Sequence, residues 1–407
     1  MNKRLWSVSF CLISGIILLS QCIRKANQQQ DLRGPQFAGS AACVSCHKSI
    51  YESYVATAHY HTSRPASQAT VKGGFNAPGN IFQYSNGMQV HMEARDSGLF
   101  QAAYMNNAIQ EAHRFDIAVG SGRKAQTYLY WTAGKYFQLP LSYFVTTHSW
   151  ANSPGFPPSY PKFDRMIPGT CFGCHSSMVG IKSTQMVGRH MQEEFEKNQL
   201  IYGIDCERCH GPALEHAVFH TDHPQEKEAH YITNIRSLKN QQKLDMCAVC
   251  HSGLQTPQKS IFGFRPGDAY SDYFYPDIMG PGKPEELDVH GTQYQLFTGS
   301  KCFKQSVNMN CSTCHNPHTS ERNVQTLSQR CISCHQPDSH PCKLTSLPAE
   351  VLAQNCVDCH MPNLPSGNIT LLTNGQQRPT ADSMHTHLIT IYPEATEKIM
   401  QQLAVSH

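Results

Sequence analysis

The sequence contains no run of basic residues, and only 15 % of its 407 residues are charged. The lack of a basic run argues against nucleic acid as a partner. The apolar run from Leu5 to Ser20 is short for a membrane span. Strong hydrophobic periodicity is rare, so the sequence predicts short helices and much irregular backbone.

Cysteine, in contrast, is abundant, and most of the 18 cysteines occur in seven copies of the pattern Cys-x-x-Cys-His. Chance would give roughly 0.04 copies in a chain of this length. The two thiols of such a pattern add to the vinyl groups of a haem, and the histidine binds the iron from one face. Zinc ribbons and thioredoxin-like proteins also use Cys-x-x-Cys, but neither needs a following histidine seven times. The sequence therefore predicts a c-type cytochrome with seven covalently attached haems c.

Each motif supplies two attachment cysteines and one axial ligand. The predicted attachment residues are Cys43, Cys46, Cys171, Cys174, Cys206, Cys209, Cys247, Cys250, Cys311, Cys314, Cys331, Cys334, Cys356 and Cys359. The predicted iron ligands are His47, His175, His210, His251, His315, His335 and His360. No residue is assigned a catalytic role.

The spacing of the motifs limits how much core the polypeptide can form by itself. The three motifs from Cys311 to Cys356 start 20 and 25 residues apart, too close for each to have its own core. The haems must therefore supply much of the buried apolar surface, and we expect the haem-free chain not to fold. Ionised propionates would change the formal charge of the polypeptide to about −4 when oxidised and about −11 when reduced. That charge favours partners with basic or mixed docking faces.

The N-terminus has the pattern of an export signal, with Asn2-Lys3-Arg4 before the apolar run and Gln21-Cys22 after it. Cys22 has the position of the lipidated cysteine of a lipoprotein signal. An uncleaved helix and simple secretion are the alternatives. We expect a cell-envelope protein on the periplasmic side, anchored in the membrane through Cys22.

The composition and hydrophobic pattern of the sequence change along the chain, and these changes predict a division into segments. Ile81 to Met105 has the pattern of hairpin strands with a turn at Asn86-Gly87, which favours a haem-free, β-rich insert. The expected fold is mainly short α-helices and irregular backbone packed around seven c-type haems, with the β-rich insert near residues 66–165. The predicted segments are the signal 1–22, a tether 23–37, a first haem segment 38–65, the insert 66–165, a three-haem segment 166–253, a connecting loop 254–300, a second three-haem segment 301–393 and a tail 394–407.

A six-coordinate haem needs a second axial ligand, and the 23 histidines are enough to supply one at every site. Local context favours five candidates, which are His59, His216, His290, His318 and His387. His318 follows Asn316-Pro317 and cannot easily reach the opposite face of its own haem, so a neighbouring haem is the expected target. His61 could replace His59, and His385 competes with His387.

The remaining histidines and cysteines give weaker indications. His91, His220, His223 and His230 are expected to face solvent, whereas His113, His148, His190 and His340 show no preference. Cys302 and Cys342 lie on either side of two haem motifs in a chain predicted to be exported, which favours a disulfide over two buried thiols.

The chain resembles the bacterial multihaem cytochrome c superfamily that includes hydroxylamine oxidoreductase, pentahaem nitrite reductase and the tetrahaem cytochrome of ammonia oxidation. The resemblance is carried by four stretches, which are Cys43 to His59, Asp205 to His216, Cys311 to His318, and Cys356 to Pro362 with the later His387. It implies that His59, His216, His318 and His387 serve as distal ligands, and that the haems pack in alternating parallel and perpendicular pairs. No Cys-x-x-Cys-Lys occurs here, although pentahaem nitrite reductase marks its catalytic haem with that pattern.

These observations favour electron transfer along a chain of mostly bis-His haems. The expected partners are other redox proteins or a membrane respiratory complex. The alternative is an oxidoreductase that acts on a small nitrogen or sulfur compound at one open haem, with Arg123-Lys124 as a candidate anion-binding pair or simply a solvated turn. A third possibility is a haem-containing scaffold in a larger complex.

Overall fold

The computed structural model describes residues 31–188, 190–277, 282–336, 342–344 and 346–406. The predicted export signal, Cys22 and His340 lie outside the described residues. No helix within the described part of the chain is both long enough and apolar enough to cross a bilayer.

Most of the helices are short and lie at or beside the haem motifs. In chain order they are α1 (Val44–Tyr54), α2 (Gly169–His175), α3 (Cys206–His210), α4 (Leu214–Asp222), α5 (Asn240–His251), α6 (Gln293–Gly299), α7 (Lys301–Gln305), α8 (Val324–Ile332), α9 (Ala349–Gln354), α10 (Cys356–His360) and α11 (Pro393–Ser406). A helical turn brings residues three apart onto one face, as two thiols on one haem require. In α3 the Asp205 carboxylate accepts the backbone N–H of Arg208 at 2.9 Å and stabilises the start of the turn.

Within the described residues, the strands form three antiparallel sheets. They are β1 (Ser63–Pro65), β2 (Ile81–Gln83), β3 (Gln89–Arg95), β4 (Gly98–Met105), β5 (Ala108–Arg114), β6 (Ile117–Val119), β7 (Ala125–Thr132), β8 (Lys135–Gln138), β9 (Leu141–Phe144), β10 (Ser149–Asn152), β11 (Arg165–Met166), β12 (Ser176–Val187), β13 (His190–Tyr202), β14 (Asn363–Thr373) and β15 (Thr380–His385). The largest sheet has the order β1-β6-β7-β9-β10-β14-β15, with β8 between β7 and β11. The strands β2 to β5 form a meander, and β12 pairs with β13 as a long hairpin.

The expected fold of mainly short helices around haems is wrong, because the chain is 29 % helical and 27 % strand. The β structure is not confined to residues 66–165. The hairpin β12–β13 follows the second motif directly, and β14–β15 follows the seventh motif and joins the large sheet. Ala151 pairs with Thr373 and Asn152 with Leu372 across more than half of the chain. Local sequence pattern does not reveal pairing at that distance.

Apolar clusters stabilise the sheets, and one of them also contains a residue of a haem motif. One lies within the meander and the large sheet and is built around Met92, Tyr128 and Trp150. The second contains Phe172 of α2 and Phe195 of β13. Because α2 carries the second motif, the second cluster fixes that motif against the β structure.

Candidate haem-binding cavity

All seven motifs contribute residues to one cavity of 4890 Å³. A pocket for a single drug-sized ligand has a volume of about 300–1,000 Å³. The cavity is therefore the size of several large prosthetic groups. Its lining of motif thiols and imidazoles matches the chemistry of haem attachment and iron ligation.

Histidine rings face one another across this cavity in four pairs. The ring centroids are 6.4 Å apart for His47 and His216, 6.1 Å for His59 and His251, 5.9 Å for His210 and His318, and 6.2 Å for His315 and His387. An imidazole nitrogen binds a metal at about 2.0 Å and lies about 1.2 Å from its ring centroid, so two rings on one iron have centroids about 6.3 Å apart. The four spacings therefore fit an iron between each pair of rings.

Among the histidines that act on His175 of the second motif, His290 has the largest influence. The pKa of His175 is lowered first by burial and then by the charges of His290 and His251. The Nδ1 atom of His175 is buried with no hydrogen-bond partner within the described residues. Burial also lowers the pKa of His59 and of His387 to about 4. Burial thus favours the neutral imidazole, which is the form that binds a metal.

Backbone carbonyls orient two of the candidate ligand rings. The Nδ1–H of His216 donates to the carbonyl oxygen of His230 at 2.8 Å, and that of His360 donates to the carbonyl oxygen of Thr390 at 2.8 Å. Such a bond fixes the tautomer and leaves Nε2 as the metal-binding atom. Within the described ranges, no second imidazole ring contacts His360.

The structure distinguishes between the competing histidines. His59 and His387, not His61 and His385, face motif histidines. The Nδ1–H of His385 donates instead to the carbonyl of Met361 at 2.6 Å. His220 was expected to face solvent, but its Nε2 is buried with no hydrogen-bond partner among the described residues, and the residue lines the cavity. The helix α4 brings it beside His216, with ring centroids 4.6 Å apart.

Thiols of different motifs lie close together, which shows how the haem sites adjoin. In four pairs each thiol is close enough to shift the pKa of the other, and these pairs are Cys43 with Cys206, Cys174 with Cys250, Cys247 with Cys311, and Cys331 with Cys356. The Cys314 and Cys334 thiols are close enough to interact electrostatically. The Cys209 thiol of the third motif also interacts electrostatically with Cys250 of the fourth. The seven sites therefore form one continuous group, in which the third site links the first to the fourth, and the fourth adjoins the second and the fifth, followed by the sixth and the seventh.

A buried ionic network beside the third motif has no signal in the sequence. The guanidinium of Arg33 donates to Asp31 at 2.9 Å, Asp205 at 2.7 Å and Glu207 at 3.1 Å, and its side chain is 5 % exposed. Burial opposes the charged form of Arg33, but the bonds to Asp31 and Asp205 outweigh it and raise its pKa. Glu207 also accepts the backbone N–H groups of Ala38 and Gly39. The network therefore joins the segment before the first motif to the third motif.

The predicted disulfide between Cys302 and Cys342 is wrong, because both are free cysteines. The Cys302 thiol instead contacts the Met309 sulfur at 3.7 Å. Cys302 and Cys342 lie on either side of two motifs in the sequence, but their thiols do not form a bond.

Comparisons with known proteins were made for both the sequence and the fold. The family model described as "Cytochrome c554 and c-prime" matches residues 161–211, which include the second and third motifs. The crystal structure of the outer cell wall cytochrome OcwA matches with a TM-score of 0.52 and 16 % identity, over 89 % of this chain and 81 % of that chain. No curated protein matches. At this identity the structural match shows a shared fold, and the match to the family model is confined to residues 161–211.

Proposed function

We propose that this chain is an exported heptahaem c-type cytochrome that carries electrons along a chain of mostly bis-His haems. The observation that carries the proposal is the centroid spacing of 5.9 to 6.4 Å in four histidine pairs. Haem, when bound, supplies one-electron redox chemistry. The polypeptide attaches it, closes both axial positions of the iron and excludes exogenous ligands from those irons.

The proximity of motif thiols supports a route through all seven sites. The fourth site adjoins the second and the third through Cys250 and the fifth through Cys247, and the third adjoins the first through Cys206. The sixth and seventh sites continue from the fifth through Cys314 and Cys334. Neighbouring attachment points of this kind bring haem edges together, as stepwise electron transfer requires.

The proposed location is the cell envelope, with membrane attachment through Cys22 and with other redox proteins or a membrane respiratory complex as partners. Its support is the export pattern of the N-terminus and the location named for the structural match, an outer cell wall cytochrome. Mass spectrometry of the mature N-terminus tests the anchor. A lipid-modified Cys22 supports it, and an unmodified Cys22 contradicts it.

The proposal is tested by counting haems and by low-temperature EPR of the oxidised holoprotein, followed by addition of CO after reduction. Seven haems per chain, low-spin ferric signals and no CO adduct are the expected results. Fewer than seven haems would contradict the proposed count. High-spin iron at most sites would contradict the bis-His arrangement.

One observation favours a second candidate, an oxidoreductase with an open haem. The ring of His360 is held by Thr390, while no imidazole ring within the described ranges faces it. An open iron at the seventh site would let a small nitrogen or sulfur compound bind. A high-spin ferric signal equal to one haem in the oxidised protein, together with a CO adduct of one haem after reduction, would favour this candidate over simple electron transfer.

A further inference from the structure

Arg322 lies between two of the haem sites. It lines the cavity, and its charge acts on both His59 and His315. His59 faces the motif histidine of the fourth site, and His315 is the motif histidine of the fifth. The guanidinium is therefore available to a group that occupies the space between these sites.

The loop between β6 and β7 supplies a second guanidinium at the same place. Arg123 also lines the cavity, and its charge adds to burial in lowering the pKa of Arg322. Arg123 donates to the carbonyl oxygen of Ala56 at 2.8 Å and to the hydroxyl of Ser320. These bonds hold Arg123 beside the segment that carries Arg322 and close to His59.

Neither guanidinium has a carboxylate within ion-pair distance in the ranges that the structure describes. Two acids that line the cavity are engaged elsewhere. Asp382 faces Lys124 at 3.9 Å, and the Glu321 carboxylate accepts the N–H of Asn323 at 2.7 Å. Desolvation and the charge of Arg123 both disfavour the charged form of Arg322, so an anion between the two guanidiniums is strongly favoured.

We propose that Arg322 and Arg123 bind a propionate carboxylate of the haem attached at Cys247 and Cys250. This inference rests on the haem binding proposed above. A guanidinium donates two parallel N–H hydrogen bonds to a carboxylate, and two guanidiniums can bind both of its oxygens. The positive charge beside this haem disfavours the ferric state, so the pair raises the reduction potential of the fourth haem.

The test compares redox titrations of the holoprotein, followed by absorbance and by EPR, for Arg322→Gln, Arg322→Lys and the control Arg378→Gln. Arg378 is exposed and lies outside the cavity lining, so its substitution removes the same formal charge at a distance. We expect Arg322→Gln to keep seven haems and to shift the potential of one haem to a lower value. Arg322→Lys keeps the positive charge and should shift the potential of that haem less. Arg378→Gln should leave all potentials unchanged.

Unchanged potentials in an Arg322→Gln protein that still holds seven haems would overturn the inference and leave the proposed electron transfer intact. A wild-type protein with fewer than seven haems would instead contradict the proposed function. Sodium nitrite added to the oxidised protein tests a free oxyanion as the ligand. A nitrite-induced spectral change that Arg322→Gln abolishes, without any shift in potential, would overturn the assignment to a propionate.

Discussion

The imidazole rings of His210 and His318 lie 5.9 Å apart with an interplanar angle of 20°, although they belong to different motif regions. The Asn316 side chain accepts the backbone N–H of His318 at 3.0 Å and stabilises the tight turn after the fifth motif. This turn directs His318 away from its own motif, so that the His318 ring faces His210 of the third motif. One local turn therefore connects two haem sites.

Replacement of His318 by Ala should leave the iron of the third site five-coordinate. We expect one haem equivalent of high-spin ferric signal, and CO binding after reduction, because alanine cannot ligate iron. EPR and CO difference spectra measure both effects. His148→Asn is the matched control, since His148 is exposed in a turn with φ 49° that asparagine tolerates. A spectrum identical to that of the wild type would contradict the pairing.

Replacement of Arg33 by Gln should destabilise the protein by about 3–5 kcal/mol, because it leaves the buried Asp205 and Glu207 carboxylates without their cation. Guanidinium chloride unfolding followed by far-ultraviolet circular dichroism measures the change. Arg95→Gln is the control. Its partner Glu93 at 2.6 Å is on a partly exposed strand, where such a pair contributes about 0–1 kcal/mol. Equal losses for the two variants would contradict the role of the buried network.

The same network predicts a dependence of stability on pH. Burial raises the pKa of Asp31, but the hydrogen bonds and charge of Arg33 outweigh it, so the pKa lies below its usual 3.8. A lowered pKa in the folded state means that the contribution is present above about pH 4 and is lost as the pH falls through the folded value. Arg33→Gln should remove this contribution. The difference in stability between wild type and variant should therefore shrink as the solution is acidified below pH 4.

Gly173, inside the second motif, has no room for a side chain. A Cβ atom there would lie 2.2 Å from Cδ1 of Ile261. Gly173→Ala should therefore cost about 1–3 kcal/mol of unfolding free energy through overpacking. Combining it with Ile261→Val should recover part of that loss. Gly263→Ala, where a Cβ would meet nothing within 4 Å, serves as the control. Additive effects of the two substitutions would contradict a direct clash.

Production of the chain without haem attachment should affect the two parts of the molecule differently. The cluster around Met92, Tyr128 and Trp150 is built within the sheets, and these residues do not line the cavity. The motif spacing predicts that the whole haem-free chain does not fold, but this cluster restricts that prediction to the haem segments, so near-ultraviolet circular dichroism should retain a signal from Trp150. A cooperative thermal transition that includes the motif helices would contradict the requirement for haem.

The sequence was informative where the chemistry is local. The spacing Cys-x-x-Cys-His is contained in five residues, and candidates such as His318 are marked by the turn that carries them. The pairing of His59 with His251 depends on packing across the molecule, so local pattern could not identify it. The sheet that includes both β10 and β14 was missed for the same reason, and the network of Arg33 needs residues more than 170 positions apart.

The central claim is that paired histidines close most of the seven iron sites. Quantitative low-temperature EPR of the oxidised holoprotein, with a parallel haem count, tests it most directly. The account predicts seven haems per chain and low-spin ferric iron at five or more of them, including the sites of His47, His210, His251 and His315. Low-spin iron at fewer than five sites would contradict it.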